Sequence, residues 1–209
     1  MRASRECPSN PVSALETGLL VAKTGFQRSG DVLKSRPARC KQDLAAPFVA
    51  IDFETADHGP DSACALALVR VENRYIVQRK FALLRPLRRN FFFSFLHGIT
   101  WEHVADKPTF AEAWPEVSRM LDGVEFLAAH NARFDAAVLK RCCQAAALAA
   151  PNLQFECTVA LARKTWGVYP TKLPNVCAFL GIPLRHHDPC SDAEACATIV
   201  IEAGRCSSP

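Results

Sequence analysis

The first residues to attract attention in this chain are acids at the ends of apolar runs. In FVAIDFETAD, residues 48–57, a period of two points Val49, Ile51 and Phe53 one way and Ala50, Asp52 and Glu54 the other. Paired carboxylates at a strand end suit a hard divalent cation, Mg²⁺ or Mn²⁺; surface acids fit the same pattern. HNARFDAAVL, residues 130–139, places Asp135 in the first turn of a helix that follows a buried strand, and HHDPCSDAEACA, residues 186–197, places Asp192 in the first turn of another. A carboxylate at either place also suits the helix dipole alone. His187 stands on a loop five residues before Asp192, and imidazole is suited to general-base work near neutral pH. The sum is four acids and a histidine, each at the edge of an element.

The elements that must position them are readable in outline. Strands are expected at 48–54, 63–71 and 75–84, a meander by their spacing. A helix is expected over about 109–121, with Thr109 and Glu112 as a capping box. EFLAAHN reads as a short strand, ARFDAAVLKRCCQAAAL as a helix, FECTV as a strand and ALARKTW as a short helix. LPNVCAFLGI starts with Pro174 near its first turn and stops at Gly181. The last helix is expected from Asp192 to about Ala203, capped by Ser191 and Glu194 and ended by Gly204. Strands first, then alternating helices and strands, give an α/β domain with a mixed sheet.

The whole chain of 209 residues suits one domain and a tail. Residues 1–44 hold eight Lys/Arg against four Asp/Glu, whereas residues 45–209 hold seventeen of each, so the net charge of +4 lies entirely in the first stretch. That stretch shows no sustained hydrophobic period, and residues 1–46 read as a disordered basic extension, either a passive tail or a weak holder of phosphate backbones. The domain is then 47–205, with 206–209 a tail. No run approaches the length of a membrane helix and the N-terminus is a poor secretory core, so a cytoplasmic protein with no membrane partner is expected. The ten cysteines contain no CxxC pair; reduced, mostly buried thiols are expected, and zinc on His186, His187, Cys190 and Cys196 is disfavoured.

Taken together, FVAIDFETAD, HNARFDAAVL and HHDPCSDAEA resemble the three motifs of the DEDD-type 3′–5′ exonucleases of the ribonuclease H-like superfamily, in the branch whose last motif carries histidine. The chain looks most similar to the proofreading (epsilon) subunit of bacterial DNA polymerase III and its stand-alone relatives. Supporting matches are FLHGIT, CTVALARKTW and KLPNVCAFLGI, and the resemblance spans roughly residues 47–204.

The resemblance implies a ribonuclease H-like mixed sheet flanked by helices and two divalent cations, Mg²⁺ or Mn²⁺, held by Asp52, Glu54, Asp135 and Asp192. It implies that His187 is the general base, by the His-x4-Asp spacing, with His186 an exposed neighbour. Thr55, His97 and Ile99 are implied beside the 3′-terminal nucleotide. The implied reaction releases nucleoside 5′-monophosphates from single-stranded or frayed DNA 3′ ends, in proofreading or repair, with a DNA polymerase or repair complex as the implied partner. RNA trimming and a non-catalytic binding module remain alternatives. LRPLRRNFFFSF, residues 84–95, interleaves arginines with aromatics; this suits single-strand binding, but at least two of its four phenylalanines are expected in the core.

Overall fold

The structure, a computed structural model, describes residues 43–207. Most of the expected basic extension and the last residues of the expected tail lie outside the described residues. Within them, no helix is long and apolar enough to cross a membrane.

Three antiparallel strands, β1 (Phe48–Thr55), β2 (Ala63–Glu72) and β3 (Tyr75–Leu83), are joined by two parallel ones, β4 (Phe126–Ala129) and β5 (Gln154–Cys157). The order across the sheet is β3-β2-β1-β4-β5. The β2–β3 hairpin turns on Asn73 and Arg74, both at positive φ (52° and 66°), which matches the twist of a tight hairpin. The helices are α1 (Ser94–His97), α2 (Trp101–Val104), α3 (Phe110–Val117), α4 (Arg133–Ala145), α5 (Thr158–Trp166), α6 (Leu173–Leu180) and α7 (Pro189–Ser207), with a 3₁₀ turn at Ser118–Leu121.

β1 is central and buried on both faces. Phe48 and Ala50 point into a core shared with α5, α6 and α7, whereas Val49, Ile51 and Phe53 point into one shared with α3 and α4. The alternation read from the sequence therefore puts Asp52 and Glu54 on the α7 face, where the apolar run ends.

The Thr109–Glu112 capping box forms as expected: Thr109 N–H donates to Glu112 Oε2 at 2.7 Å and Glu112 N–H to Thr109 Oγ1 at 3.4 Å. The last helix differs from expectation at both ends. It begins at Pro189, and Asp188 caps it by accepting from the N–H groups of Cys190 and Ser191 at 3.0 and 3.4 Å. Ser191 Oγ instead accepts from Arg185 N–H at 2.8 Å. Gly204 lies inside the helix; a Cβ there would meet Leu44 at 3.4 Å. Leu44 itself is buried in the core, so packing begins before the expected boundary at Pro47. The described cysteines form no disulfide, and most are buried.

Candidate active site

Three elements converge where β1 ends. β1 carries Asp52 and Glu54, and its pairing with β2 slips by a bulge between Glu54 and Thr55, a device common beside active sites. α4 brings Asp135, 2% exposed, whose Oδ1 accepts from Phe53 N–H at 3.1 Å, between the two β1 acids. α7 brings Asp192, 4% exposed, in its first turn.

The electrostatics of this nest follow from burial and crowding. Desolvation, then the charges of Asp135, Glu54 and Asp192, hold the Asp52 carboxyl well above the usual carboxylate range. Desolvation followed by the Asp192 and Asp135 charges pushes Glu54 to about 8. Burial raises Asp135 to about 7, against the hydrogen bond from Phe53, and burial also raises Asp192. Among the described residues, no lysine or arginine offsets these acids. The missing charge is what a cation supplies, since like charges and desolvation both disfavour ionisation.

Asp192 shows the same deficit at one atom. Its Oδ2 is hydrogen-bonded with His186 Nδ1 at 3.0 Å and accepts from His187 N–H at 3.1 Å. Its Oδ1 is buried with no hydrogen-bond partner among the described residues. A buried carboxylate oxygen without a partner, on an acid whose charge is felt by Asp52 and Glu54, fits a hard cation, so the donor set suits divalent metal. The possible ligand atoms of His186, His187 and Asp192 also lie within 4.8 Å of one another; Cys190 and Cys196 do not join that group.

The two histidines share the approach to Asp192. His187 sits at φ 67°, a left-handed backbone that turns its N–H toward Asp192. The rings of His186 and His187 stack at 3.9 Å. Burial and the neighbouring His186 lower the pKa of His187, keeping it a neutral acceptor at neutral pH. His186, expected to be a bystander, is exposed but engaged with Asp192.

Thr55, His97 and Ile99 also come together. His97 Nε2 meets the Thr55 carbonyl at 3.2 Å, and its Nδ1 accepts from Ile99 N–H at 3.1 Å. A carbonyl only accepts, so Nε2 carries the proton and Nδ1 the lone pair. Both ring nitrogens are thus occupied, and His97 fixes the end of β1 against the following loop. Thr55 is buried, and Ile99, 9% exposed, packs with Ala56, Cys64, Ala65 and Val104.

Two polar supports were not singled out from the sequence. His130 bonds Thr158 Oγ1 at 2.8 Å and donates to the Thr171 carbonyl at 3.1 Å; burial lowers its pKa to about 4, so it is a neutral strut. Asp188 caps α7 and so orients Asp192. Its signal was present, since an acid immediately before proline favours an N-cap followed by N1.

Residues 49–200 match the exonuclease (RNase T) family. The chain belongs to this exonuclease family. It is 32% identical over 163 residues to the 3′-5′ exonuclease DinG of Bacillus subtilis (strain 168), covering 74% of this chain but spanning only 17% of that relative's length. Among solved structures, Exonuclease X in complex with 5′ overhanging duplex DNA is similar at 27% identity and a TM-score of 0.61, covering 77% of this chain and 92% of that one. The nuclease domain of 3′hExo, a DEDDh family member bound to rAMP, is 21% identical with a TM-score of 0.64, covering 76% and 91%. That likeness shows the expected ribonuclease H-like exonuclease fold: a mixed five-stranded sheet flanked by helices.

Proposed function

We propose that this chain is a divalent-metal-dependent 3′–5′ exonuclease that removes nucleoside 5′-monophosphates from single-stranded or frayed DNA 3′ ends. The observation that carries the reading is the nest itself: Asp52, Glu54, Asp135 and Asp192 crowd together with no lysine or arginine among the described residues to offset them, and Asp192 Oδ1 has no hydrogen-bond partner there. Burying like charges is costly unless a counter-ion joins them.

Asp52, Glu54, Asp135 and Asp192 would hold Mg²⁺ or Mn²⁺. When bound, such ions supply positive charge to both the attacking and leaving oxygens of an in-line displacement at phosphorus. His187 takes the proton from the attacking water and thereby raises its nucleophilicity. The Asp192 carboxylate holds the His187 backbone, which keeps that ring beside the nest. Thr55 and Ile99, fixed by His97, position the terminal nucleotide. The P–O3′ bond breaks as the bond to the water oxygen forms, and the leaving oxygen takes a proton from solvent water to become the new 3′-hydroxyl of the shortened strand.

DNA is favoured as substrate because Exonuclease X, solved with duplex DNA, has a higher identity to this chain than the neighbour solved in the recognition of histone mRNA stem-loop. A proofreading or repair setting in the cytoplasm, kinship with the polymerase III proofreading subunit, and a polymerase or repair partner belong to the same proposal. The test is digestion of end-labelled DNA and RNA oligonucleotides with Mg²⁺, Mn²⁺ or EDTA. The expected result is a metal-dependent ladder of shortened DNA with mononucleotide release. Faster RNA cleavage would transfer the reading to RNA trimming; binding without cleavage in either metal would leave a non-catalytic module.

A further inference from the structure

Beside the nest stands a group of aromatic rings that the proposed chemistry does not use. Phe92 and Phe95 are 55% and 73% exposed. Phe92 lies 4.8 Å from the exposed ring of His58, 5.3 Å from Phe93 and 6.4 Å from Phe95, with His58 also 4.7 Å from Phe93. Large apolar rings left open in contact with one another mark a binding surface.

The backbone under these rings is held firmly. Phe93 N–H donates to the Ala56 carbonyl at 3.1 Å, directly after the end of β1. Arg88 reaches both Asp57 and Asp61, at 3.0 and 2.7 Å, and so ties the loop carrying His58 to the segment carrying Phe92. Phe91 packs inward, edge-on to Trp101, and Arg89 lies over the Trp101 ring at 4.7 Å. Arg89 is exposed and forms no ion pair among the described residues. Pinned backbone, open rings and an adjacent cation meet the requirements of a platform for unpaired bases, which stack on π-faces while phosphates meet positive charge.

We propose that the ridge of His58, Phe92 and Phe95 is a strand-binding subsite for unpaired nucleotides upstream of the one being removed. The inference rests on the exonuclease reading above. A single strand is favoured over a protein partner by continuity: the ridge hangs on Ala56, next to Thr55, on the strand that supplies Asp52 and Glu54. A strand whose 3′ end lies in the nest runs onto these rings, and the subsite makes the protein prefer ends with an unpaired extension.

The test compares the full chain with Phe92→Ala/Phe95→Ala on two substrates. The p-nitrophenyl ester of thymidine 5′-monophosphate fills the nest alone. A fluorescein-labelled oligothymidine of about 12 nucleotides also reaches the ridge. The expected result is an oligonucleotide KM raised by about 5-fold for each ring lost, with kcat and ester hydrolysis unchanged. Phe95→Trp should keep the oligonucleotide KM and Phe95→Leu should not, because stacking needs a flat face.

Equal losses on both substrates would show that the rings only support the nest and would overturn the subsite; so would no loss on either. A change of oligomeric state in the double variant, read by sedimentation, would assign the ridge to a second copy of the chain. If the wild-type protein cleaves neither substrate, the exonuclease reading fails. Anisotropy of the labelled oligonucleotide still judges the ridge: weaker binding by the double variant supports it and equal binding overturns it.

Discussion

Glu54 and Asp57 are three residues apart in sequence, yet the chain treats the acids around them in opposite ways. Asp52, Glu54, Asp135 and Asp192 lie where β1, α4 and α7 meet, with pKa values raised by desolvation and, for Asp52 and Glu54, also by the charges of Asp135 and Asp192. Asp57 and Asp61 sit just beyond the end of β1, and the Arg88 guanidinium holds both below the usual carboxylate range. Among the described residues, the second group has an arginine as its counter-charge; the first has neither arginine nor lysine, only the two histidines beside Asp192. A protein that can supply an arginine to one cluster and withholds it from the next has left a deficit, and a deficit of positive charge on rigid elements is the form of a metal-dependent site.

The strongest way to break this comparison is to remove a carboxylate from the nest. Asp52→Ala or Asp192→Ala should reduce nuclease turnover in Mg²⁺ to background while circular dichroism shows the fold retained. Near-wild-type turnover in either variant would remove that residue from the site. Next in size is the proton acceptor. His187→Ala should lower single-turnover cleavage by about 10²–10⁴-fold, with Mn²⁺ affinity largely kept. His186→Ala deletes one hydrogen bond to Asp192 and should cost much less. A reversal of the two effects would make His186 the base.

How far these roles could be read in advance depended on how local their causes were. The alternation in FVAIDFETAD is set by a period of two, so it gave the correct face for Asp52 and Glu54 before any packing was known. The Thr109–Glu112 box was equally local. At α7 two local signals competed: Ser191 with Glu194 resembles a capping box, but Asp188 before Pro189 takes the cap and sends Ser191 back to Arg185. Gly204 looked like a terminator, whereas its cause is the close approach of Leu44, a contact remote in sequence. α1 and α2 were not expected. They are single turns in a segment that His97 ties to the end of β1, and periodicity has no purchase on one turn. The four phenylalanines of residues 84–95 show the same limit: none is buried, Phe91 and Phe93 are partly covered and the other two are open. Spacing ranked His186 as an exposed neighbour of His187; its ring is exposed, but its bond to Asp192 is a contact that spacing does not carry.

A smaller effect sharpens the contrast through pH. A carboxyl raised in the fold binds its proton more tightly there than in the unfolded chain, so stability falls as pH rises across the interval between the two values. For Glu54 that interval runs from 4.5 to about 8. The metal-free protein, in EDTA, should therefore lose thermal stability between those pH values, and Glu54→Gln should flatten the profile. Mg²⁺ or Mn²⁺ should raise the melting temperature more at pH 8 than at pH 5, because the ionised nest is the form that binds. A metal-free melting temperature that climbs steadily across this interval would contradict the raised carboxyls.

The smallest effect comes from the other group of acids. Arg88→Ala removes donors from Asp57, which is 7% exposed, and from the more open Asp61. Gly59 N–H still donates to Asp57 Oδ1 at 2.7 Å, so the loss is partial. Arg88 is itself 42% exposed, and solvent screens the pair; the expected cost is about 1 kcal/mol at pH 7. Here the sign is opposite to that of the nest. Acids lowered in the fold contribute stability above their ordinary value of 3.8, and the contribution disappears as pH falls through the folded values. Urea unfolding at pH 7 and again well below 3.8 should therefore show the Arg88→Ala penalty at the first pH and not at the second. A penalty of equal size at both would mean that the arginine acts through the packing of its stem on the loop. Asp57 and Asp61 would then give no evidence of a balanced charge set against the unbalanced one.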